Sequence, residues 1–270
     1  LMTVINDPRS SVDDILEVIK YDQAVTGEVL RLCNSAYFGL SRKVTSLNEA
    51  TVRLGSAKVL HLVMSVHANS LLAQRQAGYG LEPGMLWRHS VGVAVASAQL
   101  AQKLRLANVN LAFTAGLLHD IGKVILNEYV AEGFAEIVRR VSSEGVSFSE
   151  AEREVLGCSH VEVGGMIAET WDLPEPIVQA IRYHLEPGQL EPSVPLVDTV
   201  HLANCVCLLI GVGLGEDGLH YRADKHAMQR CRLRETDLQE LGVQTMIDLR
   251  QVEQSFTEVQ TPTTTMPSSV

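Results

Sequence analysis

Residues 115–126 read AGLLHDIGKVIL, and the adjacent His119-Asp120 pair within them decides how the rest of the chain is read. Leu111, Phe113, Leu117, Leu118 and Ile121 form the apolar pattern of a helix that Asn108 or Asn110 can start. An imidazole and a carboxylate buried inside such a helix cost free energy unless partners compensate them. A His–Asp hydrogen bond is one compensation. Coordination of a first-row metal is another, since both groups are good ligands. Three more histidines stand beside apolar residues on other predicted helices: His89 in WRHS, His160 at the helix start in SHVEVGG, and His184 at the helix end in IRYHLEP. A helix-bundle core is where side chains from several helices converge. The set is therefore expected to meet at one site.

Outward from that stretch nearly every periodic segment reads as helix, which gives an all-α fold class. Asp22 can cap a helix whose face carries Val25, Val29, Leu30, Leu32 and Cys33, with Gly39 after its end. Ser46 and Glu49 have capping-box spacing ahead of Ala50, Val52 and Leu54, and Ser56 can start the next helix after Gly55. Gly78, Gly80, Pro83 and Gly84 make a break. A long helix is expected from Met85 to Leu104. Further ones fall near 131–144, 149–156, 160–171, 175–184 and 194–210, and two shorter ones at 235–241 and 243–259. The expected organisation is a helical lobe over 1–83, a helical core over 84–215, C-terminal helices over 216–260 and a disordered tail over 261–270, whose Thr/Ser/Pro composition cannot build a core. Gly211, Gly213 and Gly215 read as a linker. The chain opens on Leu1 rather than Met, as a fragment or trimmed chain would, and the sequence does not say whether a receiver or output domain was removed from either end.

Composition narrows the function classes. A formal net charge of −10 repels a phosphate backbone, so no nucleic-acid partner is expected. Arg139-Arg140 and the arginines from Arg222 to Arg234 read as solvated helix faces. The five cysteines are odd in number, irregularly spaced and without a CxxC, which fits reduced thiols in a cytoplasmic protein better than a disulfide framework or a zinc knuckle. No run of about 18 uninterrupted apolar residues occurs, so no membrane partner is expected.

The combined motifs resemble a known family. The HDIGK segment followed by spaced histidines is similar to the HD superfamily, whose metal-dependent phosphohydrolases share a helical core. YDQAVTGEVLRLCNSAYFG (residues 21–39), TSLNEATVRLG (residues 45–55) and LWRHSVGVAVASAQLA (residues 86–101) narrow the resemblance to the HDOD family, bacterial signalling modules related to HD-GYP phosphodiesterases. It covers about residues 3–215. The implied fold is a multi-helix HD-like bundle with an N-terminal helical lobe.

Carried over by this resemblance, His89, His119 and Asp120 match the first metal ligands, His160 and His184 match two later ones, and Asp120 would bridge two ions. Lys123 matches a lysine that faces substrate phosphate in catalytic relatives, although a surface lysine at a helix end would explain it equally. The HD pattern ends on an aspartate ligand, and here VHLANCV places Asn204 at that position. Asparagine offers a carbonyl oxygen but no charge, which weakens one ion site. His201, one turn earlier, could supply a nitrogen instead, whereas Asp198 fits the same helix face less well. The glycine-tyrosine-proline signature of cyclic dinucleotide phosphodiesterases is missing after His184. The expectation is a regulatory module with a degenerate metal site, holding a divalent or di-iron centre of Fe, Mn, Zn or Ni and answering to a signalling protein or small ligand. The alternative is a phosphohydrolase with a dinuclear His/Asp site.

Overall fold

A computed structural model describes residues 23–34, scattered positions between 38 and 66, and residues 72–257 except 172, 214 and 216–222. Regular structure among the described residues is entirely helical, apart from an isolated bridge between Gln76 and Leu81. The helices are α1 (Gln23–Cys33), α2 (Leu47–Leu54), α3 (Met85–Lys103), α4 (Val109–Leu118), α5 (Ile121–Glu144), α6 (Phe148–Leu156), α7 (His160–Thr170), α8 (Glu175–Tyr183), α9 (Pro195–Leu209), α10 (Lys225–Arg230) and α11 (Glu235–Thr257). Short 3-10 turns cover Ala77–Tyr79 and Pro187–Gln189. The Asp22 and Ser56 caps, Gly39 and the 261–270 tail lie outside the described residues.

Helix starts follow local hydrogen-bond chemistry. Ser46 Oγ accepts from the Glu49 N–H at 3.1 Å, and Asn108 Oδ1 accepts from the Leu111 N–H at 3.0 Å. Each bond satisfies a donor that a helix start leaves open. Ser147 and Glu150 cap α6 reciprocally, and Glu162 accepts from both the backbone and the hydroxyl of Ser159 ahead of α7.

Two glycines set the spacing of the central helices. A Cβ on Gly116 in α4 would lie 2.8 Å from the Val93 carbonyl oxygen of α3. A Cβ on Gly122 in α5 would lie 1.9 Å from the His160 carbonyl oxygen of α7. Backbone-to-backbone approach at both places brings the segments carrying His89, His119, Asp120 and His160 together. Around them lies the main apolar core, with Leu86, Val93, Leu117, Ile121, Leu126, Ile181, Val200 and Leu249 buried. Val29, Cys33, Val44, Leu47, Ala50, Val59 and Val63 form a separate cluster around α1 and α2.

Several expected elements differ. His119 and Asp120 do not lie inside a helix: α4 ends at Leu118, Asp120 takes φ −104° and ψ 15°, and α5 begins at Ile121. That break turns the pair out of the helical repeat. The pattern expected at 131–144 is the second half of α5. The two helices expected at 235–241 and 243–259 are one, α11. Gly242 sits within it because a Cβ there would lie 3.0 Å from Ile210 Cγ2, so this glycine serves close packing rather than a stop. The polar link after residue 215 also contains α10, capped by Asp224. By length and composition the stretch Val109–Glu144, interrupted at His119-Asp120, passes for a membrane span, but 72% of its most apolar window is buried within the fold, as in a core helix.

Candidate metal centre

His89 projects from the second turn of α3, His119 from the end of α4, His160 from the first residue of α7 and His184 from the end of α8. All four meet at Asp120. The two carboxylate oxygens divide them: His119 Nε2 and His89 Nε2 lie 3.3 and 3.7 Å from Oδ2, whereas His184 Nε2 and His160 Nε2 lie 3.6 and 3.7 Å from Oδ1. Within each group of two histidines and Asp120, one ligand atom per residue lies within 4.8 Å of the others. The five residues are 0–3% exposed.

The opposite ring nitrogens are all engaged. His89 Nδ1 donates to the Val212 carbonyl at 2.8 Å, His119 Nδ1 to that of Gly116 at 2.8 Å, and His184 Nδ1 to that of Ile181 at 2.9 Å. His160 Nδ1 instead donates to Glu152 Oε2 at 2.6 Å. In the neutral ring a donating Nδ1 leaves Nε2 as a bare lone pair. The Nε2 atoms of His119, His160 and His184 have no hydrogen-bond partner among the described residues. At His119 and His184, which burial keeps neutral, acceptor lone pairs thus face a carboxylate with no proton between them. A cation between them removes that conflict, and the donor set of imidazole nitrogens with one carboxylate suits a first-row transition metal.

The electrostatics agree. Burial is the largest influence on His119, and it pushes the pKa down to about 4 against the opposing pull of Asp120. Burial likewise lowers His184. Burial also works against charge on Asp120 and His160 but is outweighed in both: His119 and Lys123 hold the carboxyl of Asp120 well below the usual range, and Glu152 raises His160.

The remaining expected residues fall differently. Asn204 is buried on α9, a helix packed on α3 and α4, and its Oδ1 has no hydrogen-bond partner among the described residues. His201 does not supply a spare nitrogen: Nδ1 donates to the His184 carbonyl at 2.7 Å, and Nε2 accepts the Asp224 N–H at 2.8 Å. It braces the end of α8 instead. Asp198 takes two bonds from Arg230 at 2.6 and 2.8 Å. Lys123 is not a surface residue. It is 6% exposed, and its Nζ donates to Asp120 Oδ2 at 2.6 Å. The glycine segment after α9 is not a free linker. Gly213 has φ +69°, and a Cβ there would lie 2.4 Å from His89 Cβ, so the turn presses on His89 while Val212 orients its ring.

Sequence reading missed Glu152 and Tyr79. Glu152 is fully buried and also accepts from the Tyr79 hydroxyl at 2.6 Å and the His160 N–H at 3.0 Å. The sequence signal was faint, because a glutamate in SEAEREVL looks like one of a solvated acidic face.

The chain has counterparts among known proteins. A segment of 206 residues, 76% of this chain and 39% of the relative, is 27% identical to an uncharacterized protein of Treponema pallidum (strain Nichols). Over 110 residues, 40% of this chain, it is 33% identical to ribonuclease Y of Aquifex aeolicus (strain VF5), of which it covers 15%. The chain thus spans well under half of either relative. Among solved structures, an HDOD domain protein with unknown function from Geobacter sulfurreducens is 26% identical, with a TM-score of 0.68 over 96% of this chain and 87% of that one. The family model of the HDOD domain matches residues 1–187, well over half of the sequence and including all four clustering histidines and Asp120, so the chain belongs to the HDOD domain family.

Proposed function

We propose that this chain is a regulatory HDOD module whose HD-type core binds a divalent metal for structural or sensing purposes, without phosphohydrolase turnover. The observation that carries the reading is the sealed cluster: imidazole lone pairs converge on Asp120, with every member 0–3% exposed. A bound metal there would be shielded from a bulky phosphodiester. Asn204, neutral where the family pattern has an aspartate, supports the same view. An open apolar groove between α9 and α11, lined by Leu209, Ile210, Val243, Met246 and Ile247, includes no member of the cluster. The donors on offer to a metal fall into two groups that share Asp120, His89 with His119 and His160 with His184, and the Asn204 carbonyl oxygen would be a further, weaker one. A bacterial, cytoplasmic signalling protein or a small ligand would be the partner.

The second reading is a metal-dependent phosphohydrolase, favoured by the similarity to ribonuclease Y. A bound metal would then lower the pKa of a water and stabilise the leaving oxygen. One experiment separates the two: metal content of the purified protein, then hydrolysis of a phosphodiester and nucleotide panel before and after Asn204→Asp. The regulatory reading expects bound metal and no turnover from the unaltered chain. Robust turnover by the unaltered chain overturns it. If Asn204→Asp raises neither metal occupancy nor activity, the hydrolase reading loses its support.

A further inference from the structure

We infer that the centre takes a single divalent ion, on the Asp120 Oδ1 side between His160 and His184, and that Glu152 is the residue that positions His160 for it. The inference rests on the metal reading above and asks which half of the cluster is built for occupancy.

The two halves differ in what stands behind their imidazoles. On the Oδ2 side both histidines donate to neutral backbone carbonyls, of Val212 and Gly116. On the Oδ1 side His184 does the same through Ile181, but His160 donates to a carboxylate. A carboxylate behind a ligating histidine fixes the ring and raises its basicity, and losing one typically weakens binding about 10- to 100-fold. Glu152 is itself held on three counts, by the His160 ring, the His160 N–H and the Tyr79 hydroxyl. Its placement is therefore rigid. The His184 end is braced as well, since His201 donates to its carbonyl.

Charge points the same way. The Lys123 ammonium is bound to Oδ2, the oxygen that faces His89 and His119, and draws on its electron density. Among the described residues the buried centre contains two carboxylates, Asp120 and Glu152, against this one ammonium, and Asn204 adds no charge. One divalent ion leaves a single excess positive charge, whereas two would leave three. Excess charge in a sealed interior is expensive.

The test is Co2+ titration of metal-stripped full chain, followed by calorimetry and by the visible absorption of bound Co2+. One ion per chain is expected. His184→Ala abolishes binding, His89→Ala leaves the stoichiometry at one, and Glu152→Gln weakens affinity about 10- to 100-fold while shifting the Co2+ absorption, which a purely structural glutamate would not do. The wild-type stoichiometry and the contrast of His89→Ala with His184→Ala decide the matter even if Glu152→Gln fails to fold. Two ions per chain, or binding that survives His184→Ala and is lost in His89→Ala, overturns the inference and leaves the metal reading standing. No Co2+ bound by the wild-type chain overturns both.

Discussion

Asp120 and Asp198 are both buried carboxylates, each 2% exposed, and they are satisfied in opposite ways. Asp198 on α9 is closed: Arg230 grips both its oxygens at 2.6 and 2.8 Å. That bidentate fork supplies charge and hydrogen bonds at once. Among the described residues Asp120 takes a direct hydrogen bond from Lys123 and is otherwise ringed by four imidazole nitrogens at 3.3–3.7 Å. His119 and His184, whose pKa values burial lowers, have spent their ring protons on backbone carbonyls. A closed pair holds helices together, whereas an open ring of acceptors is arranged for something that is positive and has no proton to give. Burial alone does not separate these two carboxylates, and the orientation of the neighbours does.

The contrast breaks most visibly at Asp120 itself. Asp120→Ala removes the shared carboxylate and leaves the Lys123 ammonium buried without its partner. It should abolish Co2+ binding and cost about 3–5 kcal/mol of stability, read from denaturant melts of the metal-free protein. Stability close to wild type would contradict the account of the Lys123 pair.

Acid should weaken the open site as its buried imidazoles take up protons. His119 has a pKa of about 4 in the fold, and His184 is lowered too, against an ordinary 6.5. The unfolded chain therefore takes up these protons first. The stability these rings contribute is present above pH 6.5 and is lost as pH falls toward 4. His160, raised by Glu152, acts in the opposite direction but is outnumbered. The melting temperature of the metal-free protein should fall through this window, and bound metal should steepen the fall because protons compete for the same nitrogens. A flat profile from pH 7 to 4 would argue against neutral, buried rings.

Arg230→Ala sharpens the comparison from the other side. It orphans Asp198, but Arg230 is partly exposed, so solvent screens the loss and about 2 kcal/mol is expected. Co2+ affinity should not change. If it does, Asp198 belongs to the metal centre after all. The smallest effect should come from Gly213→Ala, where a left-handed backbone and a clash with His89 cost about 1–2 kcal/mol. The melt reports that loss, and occupancy on the His160–His184 side should survive it.

Much of this was legible in sequence. The starts at Ser46 and Asn108 follow from side chains that accept open N–H groups, and the helix bounds near residues 160, 175 and 195 follow from apolar period and proline. The histidines could be singled out because each stands beside apolar residues on a separate predicted helix. What escaped is set by contacts distant in sequence. The apolar pattern runs unbroken from Leu117 to Leu126, so nothing local marks the break at His119-Asp120. Gly242 falls between two helices expected from sequence and Gly213 reads as a linker, and only their neighbours Ile210 and His89 reveal close packing. His201 looked like a spare ligand until its two nitrogens found the His184 carbonyl and the Asp224 N–H. Glu152 resembles an exposed glutamate until Tyr79 and His160 are folded onto it.

The most direct test of the central claim, that the ring around Asp120 is a metal site, is an anomalous difference map from crystals of the Co2+-loaded chain, recorded at the cobalt edge. The account predicts a peak among the histidine Nε2 atoms, about 2.1 Å from its nitrogen ligands, with Asp120 as the shared oxygen donor. A featureless map there, with the histidines in the same positions and Lys123 still on Asp120, would contradict it.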